Sequence, residues 1–325
     1  MEAIKIGTQQ LEELSFKNME HDPEGEARIL LSHTLSPNAP TRSMGAFLMS
    51  LSRRHLTKEE FENYLAFIKR RANYEPIEYI TGQVNFFGRT FQVNNNVLIP
   101  RVDSEVLIET VLDKVLPQLD QQQQQNIHLM ELGVGSGCLL LTLMLEIEKK
   151  GYTIGSAIGL DKSEAALRVA HLNALNLLTQ QQMARLTLSQ HDMLTHEPAL
   201  TTVKQPIDLL ISNPPYIPSS VVRTELDRDV NEYEPHLALD GGIDGMDFYR
   251  ILCNPTLLTE HYHLKRHGGF VALEIGIGQS LHENFAKYEK NHSKTRENEI
   301  TLVKVCESKD LADIPRVLLF KTNTA

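Results

Sequence analysis

The chain has 325 residues, and at roughly 150 residues per domain that length predicts about two domains. The net charge of −10 speaks against a broad phosphate-binding surface as the main means of recognition. Hydrophobic residues at 41% and charged residues at 23% exclude a wholly disordered chain, a collagen-like repeat and a membrane protein, and leave a folded, water-soluble one.

Residues 1–80 read as a small helical domain. Ala27, Leu30, Leu31 and Leu35 share one helical face, and Phe61, Tyr64, Leu65 and Ile68 repeat the spacing behind a capping box, Thr57 to Glu60. Residues 81–102 change to glycines and β-formers, with Phe86, Phe91, Val93, Val97 and Ile99 suiting a short hairpin or extended connector. From Asp103 a helix (SEVLIETVLDKVL) leads to Gln121–Gln125, expected to be a solvated loop. Strand-like runs (IHLMELG, SAIGLD, ARLTLSQHD, IDLLISN, GGFVALEIG, RVLLFK) then alternate with helical ones, which predicts a doubly wound α/β domain with a mainly parallel sheet over 103–325. Ligands of such sheets bind beyond the carboxyl ends of the strands.

The longest nearly uninterrupted apolar stretch, Cys138 to Leu145, is far short of the roughly 20 residues that cross a bilayer. The start has no basic and apolar leader pattern, so the cytoplasm is the expected compartment and no membrane partner is expected. Cys138, Cys253 and Cys306 show no CxxC spacing and read as small apolar residues. His261, His263 and His267 lie on a polar stretch and read as solvated surface, so no metal is expected.

Strand one ends in Gly133-Val134-Gly135-Ser136-Gly137. Glycines at alternate positions let the chain turn sharply and let a nucleotide-like ligand approach the backbone at a helix N-terminus. A dinucleotide fingerprint needs glycine where Cys138 stands, which lowers the nicotinamide reading. The second strand ends at Asp161, placed either to bond ribose hydroxyls or to cap the next helix. Near the end of the third, Asp192 suits an adenine amino group or a helix cap, and Met193 suits the ring face.

After the fourth strand comes Asn213-Pro214-Pro215-Tyr216. Two prolines make this loop rigid and strip it of two amide donors, so it presents acceptors. The Asn213 side-chain oxygen and the Pro214 carbonyl suit the two hydrogens of a planar NH₂ group, with Tyr216 against its flat face. Holding both hydrogens sets the direction of the nitrogen lone pair, so attack on an activated methyl becomes a matter of positioning. Amides and adenine both offer such a group. Glu274 ends a strand near this site, as a support for it or as an ordinary strand-terminal acid; Arg101 and Asp103 either shape the pocket entrance or form a structural ion pair.

In order along the chain, EARILLSHTL, EPIEYITGQ, FFGRTFQV, VLIPRVDSEVLIE, the glycine loop, NPPYIP, YEPHLALDGGIDGMDFYR, LEIG and KDLADIPRVLLF resemble the S-adenosylmethionine-dependent protein-(glutamine-N5) methyltransferases that act on peptide chain release factors. The resemblance covers nearly the whole chain. It implies a seven-stranded Rossmann-like sheet, S-adenosyl-L-methionine as methyl donor, and the glutamine of a release factor's GGQ motif as acceptor. It implies donor contacts from Gly133, Val134, Gly135, Ser136, Gly137, Asp161, Asp192, Met193 and Asn213. Asn213, Pro214, Pro215 and Tyr216 would hold the substrate, with Asn213, Pro214 and Tyr216 as the catalytic set. The sequence departs from the family pattern at Glu131, where aspartate is common, at Val102-Asp103-Ser104, where proline-aspartate-threonine is usual, and at Met193, often aromatic. A ribosomal-protein glutamine and adenine-N6 of nucleic acid are the alternative acceptors; the acidic balance and the absence of an added basic region disfavour the second. A binding module without activity leaves the paired donor and acceptor loops unexplained.

Overall fold

The computed structural model describes residues 2–14, 22–37, 55–119, 126–195, 205–277, 279 and 300–324. Helices α1 (Glu2–Leu11), α2 (Pro23–Leu35) and α3 (Lys58–Ala72) bury Ile4, Leu11, Ala27, Leu30, Tyr64 and Ile68 in one cluster. The α2 helix starts where Asp22 accepts a hydrogen bond from the Gly25 amide and Pro23 presets the first helical φ. The predicted capping box starts α3, with Glu60 N donating to Thr57 Oγ1 at 3.1 Å and Thr57 N to Glu60 Oε2 at 2.8 Å. Within the bundle Arg71 is buried but paired, donating two hydrogen bonds of 2.9 and 2.7 Å to Glu26.

A short helix, α4 (Ile77–Thr81), ends at Gly82 and leads into the hairpin β1 (Gln83–Phe86) and β2 (Arg89–Gln92). Its two-residue turn, Phe87-Gly88, has φ of 46° and 78°; two positive values give the turn a twist matching that of the strands. Phe86 and Phe91 are buried in the same core as Leu139, Leu140 and Leu143, so the hairpin packs on the sheet domain. The helix expected from Asp103 is not one continuous α-helix. A 3₁₀ turn (Val102–Ser104) precedes α5 (Glu105–Thr110), and the chain continues as a π segment (Val111–Val115) and a 3₁₀ turn (Leu116–Gln118). Pro117 explains the end: it lacks an N–H and its ring clashes with the carbonyl of Asp113 in regular α geometry. Gln121–Gln125 lie outside the described residues.

The sheet domain runs β3 (Ile127–Leu132), α6 (Cys138–Lys149), β4 (Ile154–Asp161), α7 (Glu164–Leu177), β5 (Leu186–Gln190), β6 (Leu209–Ser212), α8 (Ser219–Thr224), α9 (Arg228–Tyr233), α10 (Asp247–Leu252), α11 (Pro255–Glu260), β7 (Phe270–Glu274), β8 (Ile300–Lys309) and β9 (Pro315–Thr324). Seven strands pair in the order β5-β4-β3-β6-β7-β9-β8, parallel from β5 to β7, with β9 antiparallel to both its neighbours. This is the doubly wound, mainly parallel sheet that the alternation predicts. Leu129, Ala157, Leu209, Ile211 and Ala272 face α5, α6 and α7, while Met130, Leu160, Leu210, Val271 and Leu273 face α10 and α11. Burying such a side chain stabilises the fold by roughly 2 kcal/mol before conformational entropy is counted.

The strand-like runs of the sequence did not include β8. It is an edge strand with Leu302 buried and Val303 and Val305 exposed, so it carries no continuous apolar run. The order of the sheet reverses between β3 and β6, whose carboxyl ends therefore flank the crevice where a ligand binds.

Candidate active site

The glycines after β3 adopt φ of +76° (Gly133), +52° (Gly135) and +80° (Gly137), a region that costs other residues about 1–2 kcal/mol each. A Cβ at Gly133 or Gly135 would meet nothing within 4 Å, so the loop leaves open space there, whereas at Gly137 it would lie 3.1 Å from the Leu141 side chain. The amides of Gly133 and Val134 donate to the Leu160 carbonyl, that of Gly137 to the Val134 carbonyl and that of Gly135 to Asp161. The open space over Gly133 and Gly135 comes from their absent side chains.

Asp161 accepts from Gly135 N at 2.9 Å on Oδ2 and from Ser163 N at 2.8 Å on Oδ1. Burial raises its pKa although both amide bonds oppose the shift. The cap of α7 is Ser163, whose hydroxyl accepts from Ala166 N, so Asp161 serves instead to tie the end of β4 to the glycine loop. Asp192 accepts from Leu194 N at 3.0 Å and pairs with Lys162 at 2.9 Å. Partial burial works against it, but the Lys162 ammonium and the Leu194 amide hold its pKa below the ordinary carboxylate value. Met193 is buried on the cavity wall. Glu131 at the end of β3 accepts from Leu140 N at 2.9 Å, and burial pushes its pKa well up.

One cavity joins these groups. Gly133, Val134, Gly135, Ser136, Asp161, Asp192, Met193, Asn213 and Pro215 all line it; Gly137, Pro214 and Tyr216 do not. Pro214 is buried beneath the wall, and the Tyr216 ring packs on Gly276, where a Cβ would lie 2.7 Å from it. Burial raises the Tyr216 pKa to about 12. Among the described residues, none donates a hydrogen bond to Asn213 Oδ1 or to the Pro214 carbonyl, while Asn213 Nδ2 donates to Ser104 Oγ at 3.4 Å. Gln279 Nε2 holds the loop from outside, donating to the Tyr216 carbonyl at 2.9 Å and the Gly245 carbonyl at 3.3 Å.

Part of the wall carried no chemical signature in the sequence. Val97, Leu98 and Pro100 come from the connector, and Pro235, Leu237 and Phe248 from the segment after the NPPY loop. Arg101 does two things: it lines the cavity and pairs with the buried Glu234, whose other oxygen accepts from Ile99 N at 3.1 Å. That pair joins the connector to the end of α9, and Tyr233 O–H, donating to the Asn73 carbonyl at 2.8 Å, continues the link to the N-terminal helices. Asp103 pairs with Arg316 at 2.6 Å and is not on the wall. Cys138 is on the wall, and burial raises its thiol pKa to about 12, which disfavours the thiolate. Among the described residues no group of His, Cys, Asp or Glu has the arrangement of a metal site, and no helix is long and apolar enough to cross a membrane.

Residues 2–82 match the family described as the PrmC N-terminal domain. A release factor glutamine methyltransferase of Caulobacter vibrioides is 37% identical over 228 residues, 70% of this chain and 70% of that protein. One of Bacillus anthracis is 35% identical over 257 residues, 79% and 81% of the two chains. A bifunctional methyltransferase of Rickettsia typhi is 34% identical over 270 residues, and the match spans 47% of that longer protein. This chain belongs to the release factor glutamine methyltransferase family.

Proposed function

We propose that this protein transfers a methyl group from S-adenosyl-L-methionine to the side-chain amide nitrogen of a glutamine in a peptide chain release factor, the glutamine of its GGQ motif. The observation that carries this reading is that the glycine loop after β3 and the acceptor loop after β6, on neighbouring strands, open onto one cavity. The donor supplies an electrophilic methyl when bound. Open space over Gly133 and Gly135 admits it next to the backbone, Asp161 accepts from its ribose hydroxyls, and Asp192 and Met193 meet its adenine.

Asn213 Oδ1 and the Pro214 carbonyl take the two hydrogens of the substrate amide, and Tyr216 gives the incoming chain an apolar face beside them. With both hydrogens held, the lone pair points at the methyl and the rate comes from orientation. The N–C bond forms as the donor's C–S bond breaks, and the nitrogen becomes acidic as it does so. Its proton leaves late, so no base is needed beside Asn213; of the cavity's basic side chains, His191 is engaged by Tyr262 and Lys162 is paired with Asp192. The N-terminal helices, joined to the cavity wall through Tyr233, Glu234 and Arg101, contact the protein substrate.

Incubation with labelled donor and a purified release factor, alongside its glutamine-to-alanine variant, tests the assignment. Label is expected on the first only, and label on the variant rejects it. Labelling that is lost after nuclease treatment would point to a nucleic acid instead. Replacing Asp161 with alanine is expected to weaken donor binding about 10- to 100-fold in a calorimetric titration, since it removes an acceptor and loosens the glycine loop. An unchanged Kd contradicts the ribose role.

A further inference from the structure

Asn213 serves an amide substrate in only one of its two flips. With Oδ1 toward the cavity it accepts; with Nδ2 toward the cavity it would set donor against donor. The choice is made by the groups around Nδ2, of which Ser104 itself lines the cavity. Nδ2 donates to Ser104 Oγ at 3.4 Å, and the carboxyl of Glu274, 2% exposed at the end of β7, the strand next to β6, lies beside Ser104 and Asn213. Ser104 has a single proton. Given to the carboxylate, it leaves only lone pairs to face Asn213, which therefore turns its NH₂ inward and its oxygen out.

We propose that Glu274, acting with Ser104, is the positioning residue that holds the Asn213 carboxamide with Oδ1 toward the reacting nitrogen. This rests on the reading of Asn213 as the amide acceptor. An ordinary strand-terminal acid would be exposed or matched by its own cation, and Glu274 is neither. Its Oε2 has no partner among the described residues, and Arg316, the cation that acts on it, is bonded to Asp103 and Asp310. Ser104, Asn213 and Glu274 reach this point from the turn before α5 and from the ends of adjacent strands.

The groups acting on Glu274 are Arg316 and Asp103, with Tyr216, Tyr249 and Cys138 around them; Tyr249 O–H donates to the Glu274 backbone carbonyl at 2.7 Å. Burial outweighs the influence of Ser104 and Asn213 and the pull of Arg316, and raises the pKa to about 7. The ionised carboxylate can only accept, which orients the relay. Once protonated it becomes a donor and the direction is lost, so kcat rises with pH through about 7. Stability has the opposite sign. With the folded pKa above the unfolded one, the group's contribution is full below the ordinary carboxylate value and is lost as pH rises through about 7.

The test is Glu274→Gln, with kcat, KM, donor Kd and Tm measured against pH. A fall in kcat of at least about tenfold, donor Kd within about twofold and loss of the limb near pH 7 are expected. Tm at about pH 8 is expected not to fall, because the buried charge is gone. A kcat within about twofold of the unsubstituted enzyme, a limb that persists, or a joint fall of Tm, donor affinity and kcat overturns the proposal. Ser104→Ala breaks the same relay without touching the carboxyl and is expected to lower kcat with donor Kd kept. Unchanged kcat there, or a flat profile from about pH 6 to 8 in the unsubstituted enzyme, overturns it even if the glutamine variant fails to fold. Asn213→Ala separates the two readings. If it keeps its rate, the acceptor role of Asn213 is wrong; if it is inactive while Glu274→Gln is not, only the positioning role is wrong.

Discussion

Asn213→Ala lowers kcat by at least about 100-fold and leaves donor Kd within about tenfold. The side chain stands at the carboxyl end of β6, where the Leu209–Ser212 ladder and two following prolines leave its backbone little freedom. Asn213 lines the same cavity as the glycine loop. Without it, one substrate hydrogen loses its partner and the amide plane can rotate, so the bound population that aims its lone pair at the methyl falls steeply. On the proposed reading donor affinity is spread over the glycine loop, Asp161, Asp192 and Met193, so loss of one contact costs little there. A variant retaining most of its rate in a single-turnover assay sinks the amide-clamp reading.

Gly245→Ala lowers kcat about 100-fold through the backbone alone. Gly245 has φ of +73°, and a Cβ there would lie 2.3 Å from the Tyr216 carbonyl oxygen. That oxygen is also held by Gln279, so relief needs a shift of about 1 Å in the loop carrying both substrate acceptors, a displacement large enough to cost two orders of magnitude. The control is Gly151→Ala. Its φ is +90° and a Cβ would meet nothing within 4 Å, so it brings the same backbone strain with no contact on the loop. Equal activity losses in the two variants would mean that strain, rather than displacement of Tyr216, is responsible.

Much of the architecture is written in short-range patterns. The capping box at Thr57 and Glu60, the alternating strand and helix runs and the left-handed glycines after β3 all follow from local sterics and periodicity, which act over a few residues. The exceptions have local causes too. Pro117 breaks a helix that periodicity alone would continue, and β8 hides because an edge strand needs only one apolar side.

The candidate site is legible in the sequence only as separate loops. NPPY shows an acceptor pair and GVGSG an open turn, and their chemistry follows from proline's missing donor and glycine's missing side chain. What surrounds them depends on contacts between residues far apart in the chain. Ser104 meets Asn213, Ile99 and Arg101 meet Glu234, and Glu274 reaches Asn213 because β6 and β7 are neighbours. Such contacts leave no periodic trace, since any strand end accepts a glutamate as readily as another polar residue. Whether that glutamate meets water or the back of Asn213 is decided by the order of the sheet, because burial and hydrogen-bond partners are properties of packed neighbours rather than of the chain.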